Sequence, residues 1–179
     1  MSAQKNAGSA VSDMLSIAGL LENSNMARVY VHVAKSTDGE TVEKITGELD
    51  IPQATAYDYV RRLVDAGLLS KEGDGRPYRY VAENISLTLK SDEDSTEYTI
   101  SPELIDAVSR RDENPDIDAY ADRHGIGGVA TALRYAEMYV DGEMNHRLMA
   151  RELDISPIEA ETILQELRKV VLEHRRDYG

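Results

Sequence analysis

The 179-residue chain is predicted to be mainly α-helical with small β-hairpins, an N-terminal helical domain with a hairpin followed by a second helical domain. Three observations lead there. Apolar residues recur at spacings of three and four along most of the chain, as with Val42, Ile45 and Leu49. Two turn-forming stretches, GDGRP (73–77) and SDEDS (91–95), are each flanked by β-prone arms. The phrase ELDI, each time between two helical patterns, stands twice, at 48–51 and 152–155.

Taken in order, MSAQKNAGSA has no period and reads, with residues to 12, as a flexible tail. DMLSIAGLLEN, from Asp13, is a short apolar helix that caps the core or pairs with a partner chain. Asn23 and Ser24 offer N-cap oxygens to a helix MARVYVHVAKS. Asp38-Gly39 breaks it, and Thr41 opens a second helix, TVEKITGEL. Pro52 suits the first turn of a third helix, which runs from about Gln53 to Ala66 and is ended by Gly67. LLSKE and YRYVAEN around GDGRP make one hairpin. ISLTLK and TEYTIS around SDEDS make another. From Pro102 the pattern is helical again: PELIDAVSRR, DIDAYADRHG and GGVATALRYAEMYV, then Asp141-Gly142, MNHRLMAREL, the turn DIS, and PIEAETILQELRKVVLEHRR. The domains expected are 1–12 tail, 13–82 helical domain with its hairpin, 83–101 hairpin connector, and 102–179 a helical domain for dimerisation or a protein partner.

Composition narrows the function. Lys plus Arg number 20 against 33 Asp plus Glu, a net charge of −13. Residues 1–82 hold 9 basic and 11 acidic side chains, whereas residues 83–179 hold 11 and 22. A polyanion site therefore belongs in the first half. Without Cys there is no disulfide, thiol nucleophile or Cys-ligated zinc. No apolar run approaches the length of a membrane span, and no signal-peptide core follows Met1, so a cytoplasmic protein with no membrane association is expected. His32, His124, His146 and His174 are scattered, and GIGG (125–128) lacks the flanks of a phosphate loop; it reads as the start of the next helix. No metal, cofactor or catalytic set is expected, and so no enzyme.

Two short helices across a tight turn, a Gly-ended third helix and a hairpin make a winged helix-turn-helix. At 100° per residue the third helix turns Ala56, Tyr59, Val60 and Leu63 to the core. The opposite face carries Ala54, Thr55, Tyr57, Asp58, Arg61 and Arg62, with Gln53 at the first turn. These types suit DNA. Gln53 can pair with adenine, Thr55 and Tyr57 can reach phosphate or base, and Arg61 and Arg62 match phosphate oxygens. Lys71, Arg76 and Arg79 flank the hairpin tip. Between Gln53 and Arg79 there are 5 basic and 4 acidic residues, a local maximum in an acidic chain.

ELDIPQATAYDYVRRLVDAGLL (48–69) with GDGRPYRY (73–80) resembles the ArsR/MarR/TrmB-like winged-helix transcription regulators. With the acidic, Arg-rich, Lys-poor composition it looks like a haloarchaeal, halophilic regulator. The resemblance spans about residues 24–82. It implies double-stranded DNA as partner, bound through the third helix and wing by a homodimer on a near-palindromic site. Asp58 departs from the pattern, since many relatives carry a basic or neutral residue there.

The second copy keeps the core stripe and loses the chemistry. Aligned at ELDI, Ala56, Tyr59, Val60 and Leu63 match Ala160, Ile163, Leu164 and Leu167. Thr55, Tyr57, Arg61 and Arg62 match Glu159, Glu161, Gln165 and Glu166, and carboxylates beside phosphates repel. The second half is left for a partner, or for a ligand pocket within 102–146. The expected function is sequence-specific DNA binding in transcriptional control. A tandem winged-helix adaptor that docks proteins and never touches DNA is the alternative.

Overall fold

A computed structural model describes residues 17, 19–85, 87–90 and 97–177. The tail at 1–12 and the SDEDS turn lie outside them. The fold is mainly α with two small antiparallel hairpins, and the first part is a winged helix-turn-helix. Contacts divide the chain into two compact units between Ile85 and Ser86, so the second hairpin falls within the second unit.

In the first unit, the described residues of the leading segment, Ile17 and 19–22, are helical, and Ile17, Leu20 and Leu21 are buried. Helix α1 (Ser24–Ala34) starts at Asn23, whose side chain accepts from the Met26 amide at 3.0 Å. Helix α2 (Val42–Leu49) is capped by Thr41 and buries Val42 and Ile45, while Leu49 stays half-buried. Helix α3 (Gln53–Asp65) buries Ala56, Val60 and Leu63 as its period predicts. Tyr59 is only half-buried and its hydroxyl meets Asn23 Nδ2 at 3.4 Å, because a phenol head at the edge of the stripe needs a polar partner. Pro52 takes the N-cap position rather than the first helical turn. At the other end Gly67, at φ 72°, lets its own amide reach Val64 O and the Leu68 amide reach Leu63 O, both at 2.9 Å. That pair of bonds closes the helix.

Strands β1 (Leu69–Glu72) and β2 (Arg79–Ala82) then pair from Leu69↔Ala82 to Glu72↔Arg79. Glu40 joins them, exchanging backbone bonds with Tyr80 at 2.9 and 2.8 Å.

In the second unit β3 (Leu87–Lys90) pairs with β4 (Glu97–Ile100). Helix α4 (Pro102–Ser109) follows from Ser101, which caps it. The two helices read from the sequence lie within the span α5 (Pro115–Val140) and are separated at Gly125, whose φ 68°, ψ 178° is not helical and where GIGG begins. Helices α6 (His146–Leu153) and α7 (Pro157–Asp177) complete the unit. Asp50 ends α2 at φ 52°, ψ 43°, and Asp154 ends α6 at φ 53°, ψ 45°. The repeated ELDI therefore encodes the same left-handed turn twice, at a residue type that tolerates it. Ala160, Ile163, Leu164 and Leu167 of α7 are buried, matching the stripe of α3.

Asp106 is 2 % exposed in this second core. Arg110 grips both its oxygens at 3.0 Å, and His174 Nε2 lies 2.9 Å from Oδ2. Arg110 also reaches Glu173, so this buried carboxylate ties α4 to α7.

Candidate nucleic-acid interface

The tight turn after α2 and the glycine-ended α3 leave one face of α3 uncovered. Gln53, Tyr57, Arg61 and Arg62 are exposed there and Thr55 is half-buried. Tyr57, 49 % exposed, is one of two large hydrophobic side chains exposed among the described residues. The exposed polar face and the wing are brought together by two clefts. One, of about 470 Å³, is lined by Ala54, Tyr57, Asp58 and Arg61 from α3 and by Lys71 and Tyr80 from the hairpin. The other, of about 580 Å³, has Tyr57 on one side and Arg76, Tyr78 and Tyr80 on the other, with Val42 and Glu43 from α2.

Electrostatics in these clefts is finely divided. Asp58 accepts from Arg61 Nη2 at 2.7 Å and lies 4.0 Å from Arg62 Nη1. The acid noticed as a departure is thus the local counter-charge of the arginine pair. On the wing, Lys71 Nζ stands 3.2 Å over the Tyr78 ring and Arg76 lies 5.9 Å from it. Hydrogen bonding from Arg76 and then Lys71 holds the Tyr78 phenol below its ordinary pKa.

Arg79 differs from the other wing cations. Its guanidinium donates to the carbonyls of Asp38 and Gly39, each at 3.2 Å, and so braces the Glu40 segment against the hairpin. Glu40 is buried. Desolvation works against its charge, but hydrogen bonds from Lys44 and Ser36 outweigh that and hold its carboxyl below the usual value. The sequence reasoning did not single out Glu43, Tyr78 or Tyr80. The signal for the tyrosines was present in PYRY, where a spacing of two sends both rings to one side.

The corresponding surface of the second unit differs in kind. Glu159, where α3 has Thr55, is held by Arg123 and by His124 Nε2, each at 2.8 Å. Ile158, where α3 has Ala54, is 77 % exposed. Elsewhere in this unit a cleft of about 540 Å³ is lined by Tyr98, Glu103, Thr131, Arg134 and Glu137. Burial and then the neighbouring Glu103 push the Glu137 carboxyl up. Among the described residues no cluster of His, Asp and Glu is arranged to hold a metal ion, and no helix is long and apolar enough to cross a membrane.

Two family models match the chain. Residues 111–176 match a family of unknown function, DUF7437. No curated protein and no solved structure matches. Residues 15–86, which hold the whole winged helix, match the model of the sugar-specific transcriptional regulator TrmB, a regulator family and not an enzyme family. It is to the TrmB transcriptional regulators, then, that the first unit of this chain is similar.

Proposed function

We propose that the protein is a transcriptional regulator that binds specific double-stranded DNA through α3 and the β1–β2 wing, as a homodimer on a two-fold site. One observation carries this reading: the exposed face of α3 and the cationic wing share the walls of two adjacent clefts. The match of residues 15–86 to a regulator family supports it. Gln53, at the N-terminal turn of α3, is the base-reading residue, with Thr55 and Tyr57 beside it. Arg61, Arg62, Lys71 and Arg76 neutralise phosphates, and Arg79 sets the angle of the wing.

The test is a salt-series titration on DNA fragments selected from the protein's own genome. Replacing both Arg61 and Arg62 with Glu should lower the slope of log affinity against log salt by about 2. It should also weaken binding at least tenfold and leave the circular dichroism spectrum unchanged, because both side chains are exposed. A double variant with undiminished DNA affinity would sink the assignment of this face.

A further inference from the structure

The larger α3–wing cleft has a lining suited to a nucleobase, with Arg76 at hand for a flanking phosphate. Tyr57, Tyr78 and Tyr80 are all among its lining residues. A base offers a π-face to an aromatic ring whatever its identity. Glu43 shares the lining. A carboxylate there repels a phosphate, yet it accepts a hydrogen bond from the exocyclic amino group of cytosine or adenine. Lys71 covers one face of the Tyr78 ring, which leaves only the opposite face for a base, and Arg76 beside the ring can hold a flanking phosphate. At about 580 Å³ the cleft falls in the range of roughly 300–1,000 Å³ that holds small ligands.

We propose that the Tyr57–Tyr78–Tyr80 cleft seats one unstacked base of a DNA strand held against α3 and the wing. This rests on the DNA reading above and adds to it a preference for sites where a base leaves the stack. Such a base costs least to extrude at a bulge or mismatch.

The experiment uses the full chain and two duplexes of one sequence, the first fully paired and the second with a single bulged 2-aminopurine. The bulged duplex should bind about tenfold tighter, the gain of stacking one base, and its fluorescence should be quenched on binding. Tyr78→Phe should keep the affinity ratio between the two duplexes, and Tyr78→Ala should bring it close to one. Equal affinity of the wild-type protein for both duplexes overturns the assignment. So does a Tyr78→Phe variant that loses the ratio as fully as Tyr78→Ala, since the hydroxyl and not the ring would then be at work. If the paired duplex binds without any gain from the bulge, only this cleft assignment falls; if neither binds at any salt, the DNA reading falls with it.

Discussion

At the scale of single residues, Asp58 decides how the candidate interface behaves. Its carboxylate shares the exposed face of α3 with Arg61 and Arg62 and pairs with the first at 2.7 Å. The Asp58 side chain is 45 % exposed and that of Arg61 72 %, so the pair adds little to stability. On the proposed reading its effect falls on DNA binding instead, because one acid offsets part of two cations. Asp58→Asn should raise affinity for every fragment, about three- to tenfold at low salt, and steepen the salt slope by about 1, while the urea midpoint stays put. A variant with unchanged affinity and slope would remove Asp58 from the interface. The stripe Ala56, Val60 and Leu63 was legible in the sequence because a helix repeats every 3.6 residues. The ion pair was half legible: positions three apart on a helix are neighbours, but which arginine the acid chooses depends on side-chain geometry.

At the scale of elements, the wing is an anchored hairpin. Its two strands were readable from a turn stretch between β-prone arms. Its third attachment was not, because Glu40 pairs with Tyr80 across 40 positions, and no local period reports so distant a partner. Gly39 makes the attachment feasible. It sits at φ 72°, and a Cβ there would stand 2.9 Å from the carbonyl oxygen of Tyr80. Gly39→Ala combines a left-handed strain with a clash against backbone, and should cost about 2–3 kcal/mol in urea unfolding. A loss under about 0.5 kcal/mol would mean the Glu40 segment moves freely away from the wing. The span α5, by contrast, was legible from its glycines. Two helices were read there and two are present, since Gly125 at φ 68°, ψ 178° is not helical and separates them where GIGG begins.

At the scale of the whole molecule, two units carry one helical phrase with different exposed side chains. Each has its own apolar core, and the first extends from the described start at Ile17 to Ile85. Residues 1–85 expressed alone should unfold in one cooperative urea transition and keep the fragment selectivity of the full chain. A fragment without a cooperative transition would show that the first core depends on the second unit. The sequence by itself determined the helices, both hairpins, the twin ELDI turns and the loss of cationic chemistry in the second copy. Each of these is local: periodicity, turn residues and charge are written within a few residues of one another. Only the tertiary structure decided that Tyr57, Tyr78 and Tyr80 line one cleft, that Arg79 braces the wing, and that Asp106 is buried with Arg110 and His174. Those groupings join residues up to 68 positions apart. They come from burying apolar faces against each other, and the polar side chains that meet are a consequence of that packing.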